Sequence, residues 1–371
     1  MINRNIYGGL MSGTSLDGVD GLLVSFTSDH QLQVLARSSL PFPEKLRNLL
    51  LSLAHSENIS FTDLASAEQA LTQHYALCWQ ELEKQVPGIK PEALGCHGQT
   101  LEHRPAIGYS LQLLDPSLLA ELTGCNIVCD FRRRDLAAGG QGAPLVPAFH
   151  RGFFGSVKED RMIVNLGGIG NLTWLPRNHA DEPLGFDTGP ANLLLDAWCH
   201  KHQGTKQDEN GNWAKRGQIN HELLDQLLKD AYFSAPYPKS TGREMFNLPW
   251  LEKKLGSSGV KALKAVDIQA TLVELTARSL CQAIQQLDPR QSAQILICGG
   301  GSKNTYLMER IAELARPRNV ATTENAGLPP QDVEAAAFAW LAHQHLLKKP
   351  GNLPSATGAQ GPRILGGFYP A

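Results

Sequence analysis

RMIVNLGGIGNLTWL, residues 161–175, decides how the rest of the chain is read. Residues 161–166 form an apolar run suited to a buried strand. Residues 167–170 are a glycine turn, and residues 171–175 a second strand, so the stretch predicts a hairpin. Residues 183–186 suggest a third strand. The same opening occurs near the N-terminus, where short strands over 6–11, 19–26 and 31–39 flank a Gly/Ser/Thr turn.

Alternating helix and strand follow each opening. Apolar residues at helical spacing predict helices over 43–55, 62–85 and 116–122, with strands at 93–96 and 126–131. In the second half the helices fall at 190–202, 220–231, 268–287, 304–314 and 332–347, with strands at 294–298 and 320–322. No sequence repeat is visible, but the order of elements repeats. That order implies an α/β protein with mixed sheets and helices on both faces, built twice, with a ligand cleft between the domains. The expected boundaries are 1–130 plus about 348–371 for the first domain and 131–347 for the second.

Composition narrows the function classes. Of 371 residues, 42% are hydrophobic and 19% charged, which excludes disorder as the dominant state. A net charge of −2 argues against a generic nucleic-acid or anionic-membrane binder. The seven cysteines are odd in number and form no CxxC pair, so they read as reduced, buried thiols of a cytoplasmic protein. No apolar leader or run of 18 apolar residues is present, and no membrane association is expected.

Three glycine turns carry the first chemical signal. They are Ser12-Gly13-Thr14-Ser15-Leu16-Asp17-Gly18, Asn165-Leu166-Gly167-Gly168-Ile169-Gly170-Asn171 and Cys298-Gly299-Gly300-Gly301-Ser302-Lys303-Asn304. Glycine lets backbone N–H groups approach an anion with no Cβ in the way. Hydroxyls at Ser12, Thr14 and Ser15 add donors, and Asp17 and Asp20 suit Mg²⁺. Residues 8–15 imitate a P-loop, but Thr14 stands where Lys is needed, and a hairpin follows instead of a helix. The second turn also fails the dinucleotide fingerprint. Each turn alone reads rather as a tight structural turn; three at equivalent points of a duplicated order reverse that balance and favour phosphate binding.

Asp187, in Gly185-Phe186-Asp187-Thr188-Gly189-Pro190, ends a strand just before a helix, where it serves either as an N-cap or as a base. His97 and Gln99 begin a loop after a buried strand, at a place suited to hydroxyl contacts. The spacing of His97 and His103 does not make a metal set. Residues 213–216 and 232–245 read as solvated loops.

Taken together, MSGTSLDGVD (11–20), DFRRRDLAAGGQGAPLVP (130–147), NLGGIGN (165–171), GFDTGPAN (185–192), CGGGSKN (298–304) and VEAAAFAWLA (333–342) resemble the 1,6-anhydro-N-acetylmuramic acid kinase family, in order and along nearly the whole chain. The resemblance implies two RNase H-like domains of the actin/hexokinase type closing on ATP with Mg²⁺. It also implies a reaction that opens the anhydro sugar with water and phosphorylates O6, and a homodimer. Asp187 would be the catalytic base, with Glu334 helping to orient the water. Gly13, Thr14, Ser15, Asp17, Gly18 and Asp20 would form the first phosphate motif. Gly167, Gly168, Gly170 and Asn171 would form the second, and Gly299, Gly300, Gly301 and Asn304 the adenosine motif. Asp17 or Asp20 would meet the metal. His97, Gln99 and Arg132 would bind sugar, Arg132 through the lactyl carboxylate unless it pairs with Asp130 or Asp135. Arg133 and Arg134 are weaker choices if the segment is a strand. Two other readings use fewer of these features: an ATP-independent glycosidase using Asp187 and Glu334, and an ATP-driven switch that binds a protein.

Overall fold

β1 (Ile6–Met11) is buried on both faces from Tyr7 to Leu10, the signature of a central strand. A computed structural model, which describes residues 5–28, 31–56, 58–178, 181–257 and 263–371, shows what surrounds it. β1 turns back into β2 (Gly18–Ser28) and then β3 (Gln31–Pro41), an edge strand with alternating exposure. Helices α1 (Glu44–His55) and α2 (Phe61–Gln85) follow. The hydroxyl of Ser60 caps α2 by accepting from the Thr62 and Asp63 amides. β4 (Ala93–Cys96) returns parallel to β1, and β5 (Gln99–Arg104) and β6 (Tyr109–Leu113) form a separate hairpin. α3 (Pro116–Thr123) starts with Asp115 as cap and Pro in its first turn, and stops at Gly124. β7 (Ile127–Cys129), α4 (Phe131–Ala137) and α5 (Val146–Phe154) complete this half.

The second half begins with β8 (Arg161–Leu166), β9 (Ile169–Leu175) and β10 (Leu184–Pro190). α6 (Asn192–Gln203), α7 (His221–Leu228), the single turn α8 (Ala231–Ser234), α9 (Leu248–Ser257) and α10 (Ala265–Leu287) follow. Then come β11 (Gln294–Cys298), α11 (Thr305–Leu314), β12 (Val320–Thr322), α12 (Val333–Leu346), α13 (Pro354–Thr357) and β13 (Gly367–Tyr369).

One sheet runs β13-β7-β4-β1-β2-β3 and another β10-β9-β8-β11-β12. Without β13, both follow the same 3-2-1-4-5 order: an antiparallel meander, then parallel strands. The duplication expected from the order of elements is therefore the architecture. Each sheet has its own core, one around Leu10, Leu23, Tyr75 and Trp79, the other around Val164, Leu172, Leu272 and Ile297.

The chain divides into Met1–Phe153 with Asp332–Ala371, and Phe154–Gln331. These limits differ from 130/131 and 347/348 for two physical reasons. Buried Asp135 of α4 accepts from the Gly142 amide, Asn352 Nδ2 and Thr357 Oγ1, each at 2.8 Å, tying α4 and its glycine loop to the C-terminal segment. α12, apolar and buried through its middle from Ala335 to Ala342, lies directly on β1 and β4. Glycine permits that approach: a Cβ on Gly9 would fall inside the Ala335 carbonyl and 2.8 Å from the Ala339 amide.

The segment 126–131 also departs from expectation. Its strand stops at Cys129, Asp130 turns at φ 59°, and Phe131 begins α4. Asp is one of the few residues that tolerates the left-handed region. Arg132 is therefore helical, and strand alternation does not choose among the three arginines. Among the described residues no helix is long and apolar enough to cross a membrane.

Candidate active site

In the first unit, α12 sets the geometry. Its backbone contact with β1 holds its first turn over the end of that strand, where the first glycine turn begins. Glu334 thus lines a pocket of about 230 Å³ together with Gly13, Ser15, Asp17, Gly18 and Asp20. The turn itself is held from below. The Ser12 hydroxyl bonds Tyr75 Oη at 2.7 Å, and Gln99 Nε2 donates to the Gly13 carbonyl at 3.2 Å. Leu16, buried in the turn at φ 58°, marks a strained backbone that its surroundings enforce. A Cβ on Gly13 would meet nothing nearer than Ser15 Oγ at 3.8 Å, so packing does not require glycine there. Gly18 differs, since a Cβ would run into the Leu40–Pro41 backbone.

His97 and Arg132 of the same unit sit together. Arg132 Nε and Nη2 lie 3.2 and 2.9 Å from His97 Nε2, and its Nη1 donates to the Gly142 carbonyl at 2.8 Å. Arginine cannot accept, so His97 Nε2 is bare and its proton is on Nδ1. Burial and the adjacent guanidinium push the His97 pKa down to about 3, which keeps the ring neutral. Burial lowers Arg132 to about 10, opposed by the nearby carboxylates of Glu334 and Asp135. The ion pair of Arg132 with Asp130 or Asp135 is not formed; Arg133 approaches Asp130 instead, at 3.6 Å. His97 Nδ1 and Gln99 Oε1 are buried without a hydrogen-bond partner among the described residues. Gly98, at φ 75°, turns the chain between them, and Gln99 opens β5 where a loop was expected.

In the second unit, parallel pairing of β8 with β11 puts the second and third glycine turns side by side, with Asn165 opposite Cys298. Asn192, at the start of α6, donates to the Leu166 carbonyl at 2.9 Å and ties α6 to the second turn. Cβ atoms on Gly167, Gly168 or Gly300 would meet nothing nearer than 3.5 Å, whereas those on Gly170, Gly299 and Gly301 would collide with packed neighbours. The first three face open space; the others let the turns fit together. Asn304 has a structural task, accepting from the Leu307 amide at 3.0 Å as the cap of α11.

Asp187 stands in the same neighbourhood. Register aligns Asn165, Asn171 and Asp187 across β8, β9 and β10, so their side chains share one face of the sheet beside the second turn. A bulge follows at once, between Asp187 and Gly189. Asp187 is not an N-cap: β10 runs on to Pro190, and Oδ2 accepts from the Thr241 amide at 3.0 Å. Burial raises its pKa to about 6; the Thr241 amide opposes the shift and Glu244 adds to it. A carboxylate with that affinity for protons is matched to general-base work near neutral pH. The stretch 232–245 is largely an exposed loop, but Tyr232 at its start is buried and its hydroxyl donates to the Asp187 carbonyl at 2.7 Å. Asn165 belongs to the NLGGIGN motif, whereas Tyr232 and Thr241, 45 and 54 positions from Asp187, had no signal in the sequence.

A family model, Anhydro-N-acetylmuramic acid kinase, matches residues 5–371. The anhydro-N-acetylmuramic acid kinase of Bordetella avium is 50% identical over 98% of this chain and 95% of its own length. That of Bordetella petrii is 49% identical over 99% and 96%. Among solved structures, an activator of 2-hydroxyisocaproyl-CoA dehydratase from Clostridium difficile aligns over 92% of this chain and 96% of its own, at 13% identity and a TM-score of 0.46. With a family match along almost all of its length and relatives half identical to it, the chain belongs to the anhydro-N-acetylmuramic acid kinase family.

Proposed function

We propose that the protein uses ATP and water to convert 1,6-anhydro-N-acetylmuramic acid to N-acetylmuramic acid 6-phosphate and ADP. The observation that carries the reading is the row Asn165–Asn171–Asp187, which sets a raised-pKa carboxylate beside two glycine turns with open outer faces. In the bicyclic sugar O6 is bonded to C1 and has no proton to give up. Water attacks C1 and loses a proton to Asp187. The C1–O6 bond breaks, and O6 takes the γ-phosphoryl group of ATP. Base assistance of this kind is typically worth ~10²–10⁴-fold in rate. Phosphoryl transfer needs mainly position and charge stabilisation, which backbone amides of the glycine turns would supply. Glu334 shares the task of orienting the water, and Arg132, preset by neutral His97, binds the lactyl carboxylate.

Asp17 and Asp20 would hold Mg²⁺. That ion usually takes one or two carboxylates and completes its shell with phosphate and water. Two exposed carboxylates in the Glu334 pocket fit this, and among the described residues no set of three or more ligating side chains forms a closed cage. When bound, the ion would neutralise charge on the β- and γ-phosphates. The biological setting we assign is cytoplasmic recycling of cell-wall murein by a homodimer.

The test is incubation of the anhydro sugar with and without ATP and Mg²⁺. ATP-dependent sugar phosphate supports the reading. Ring opening without ATP would make the protein a glycosidase, and no reaction would leave the protein-binding switch.

A further inference from the structure

Asp187 is gripped by one segment at three separate atoms. Its amide donates to the Lys239 carbonyl at 2.9 Å, its carbonyl accepts from Tyr232 Oη at 2.7 Å, and its Oδ2 accepts from the Thr241 amide at 3.0 Å. Among the described residues Oδ1 accepts no hydrogen bond. The segment is itself braced. Lys239 Nζ donates to the carbonyls of Tyr232 and Phe233 at 2.8 and 3.1 Å, closing the end of α8, and lies 4.7 Å from the Tyr232 ring centroid. At the bulge, Thr188 Oγ1 donates to the Gly170 carbonyl, and Gly189 turns at φ 135° where a Cβ would strike the Phe233 ring.

We propose that Tyr232, Lys239 and Thr241 form a positioning clamp, which holds the strand and Oδ2 of Asp187 so that Oδ1 takes the proton of the attacking water. The step balances: an O–H bond of water breaks toward Oδ1, the water oxygen bonds C1, and the C1–O6 electron pair passes to O6. The proposal rests on the reading of Asp187 as the base. β10 is an edge strand of its sheet, with β9 on one side only. Both the amide and the carbonyl of Asp187 are bonded to the clamp, so without it these two groups would lose the partners that hold them. Holding a reacting group to within a fraction of an ångström is worth large factors, since a displacement of 1 Å costs about 10²-fold.

The groups that face Asp187 are few. Glu244 comes from the same segment, Tyr232 from α8 and uncharged Asn171 from β9. α10 meets β10 through Thr276, which donates to the Pro190 carbonyl, while its Glu274 is paired with Arg278 and Arg310.

The experiment measures steady-state kinetics from pH 5 to 9 for Tyr232→Phe, Thr241→Pro and Asp187→Asn in the full-length protein. Loss of one neutral hydrogen bond predicts about a threefold to tenfold fall in kcat for Tyr232→Phe, with the sugar KM within about twofold. Thr241→Pro removes the N–H on Oδ2. Its kcat should fall further, and the acidic limb of kcat/KM should move to higher pH. A merely structural role would lower the amount of folded enzyme without moving that limb. Inactive Asp187→Asn beside a Tyr232→Phe variant with unchanged kcat overturns the clamp and leaves the base reading standing. Active Asp187→Asn overturns both. If Thr241→Pro does not fold, the kcat of Tyr232→Phe alone decides.

Discussion

Replacing Asp187 with Asn should make the protein inactive and more stable, and the stability gain should depend on pH. Burial raises the Asp187 pKa from 3.8 to about 6. Between those values the folded state binds more protons than the unfolded state, so stability falls as pH rises through the window and levels off above it. Roughly two pKa units at about 1.4 kcal/mol each give about 3 kcal/mol of strain at pH 8. Asn has nearly the same size and can still accept from the Thr241 amide, so the variant removes the buried charge and little else. For a unit of this size about 3 kcal/mol corresponds to roughly 6–12 °C in Tm. Calorimetry at pH 8 and pH 5 is the assay. The variant should melt well above the parent at pH 8, with the gap about halved at pH 5, where part of the parent population is already protonated. A variant that melts at or below the parent at pH 8, or a gap that does not change with pH, would refute the assignment of a buried, reluctant carboxylate. Such strain is expected where a base must sit in a partly dry site.

Other substitutions separate ligand-facing from packing positions. Gly168→Ala adds a methyl 3.9 Å from its nearest neighbour, Leu193 Cβ. It should leave Tm unchanged and raise the KM for ATP about tenfold; an unaltered KM would show that this turn does not approach phosphate. Gly9→Ala drives a Cβ into the backbone of α12 and should cost about 1–3 kcal/mol or more, read as a lower Tm. An unchanged Tm would mean that α12 shifts at no cost. Glu334→Gln and Asp187→Asn, combined, should lose no more activity than the worse single variant if both orient one water; multiplicative losses would assign them separate roles.

Local information was enough for the elements and for their order. The apolar run of β8, its glycine turn and β9 follow from side-chain period and turn chemistry, and the repeat of that order gave the duplicated sheets. The motifs placed the glycine turns and Glu334 at the ends of elements for the same reason, whereas Asp187, expected at a strand end, lies within β10. The end of the strand predicted over 126–131 was misplaced because a single αL residue, Asp130, follows Cys129 and starts a helix without any change in local pattern. The clamp on Asp187 was also illegible: Thr241 and Lys239 lie more than 50 positions away and act partly through backbone atoms, which every residue carries. Nor could composition separate the two kinds of glycine. Gly9 and Gly18 leave room for another backbone, while Gly13 and Gly168 have no atom of the chain within 3.5 Å of a would-be Cβ. Period, cap and turn are properties of neighbours in sequence, and the sequence by itself determined those. Which backbone atom meets which carboxylate, and which glycine faces empty space, depends on packing between distant segments, and only the tertiary structure decided it.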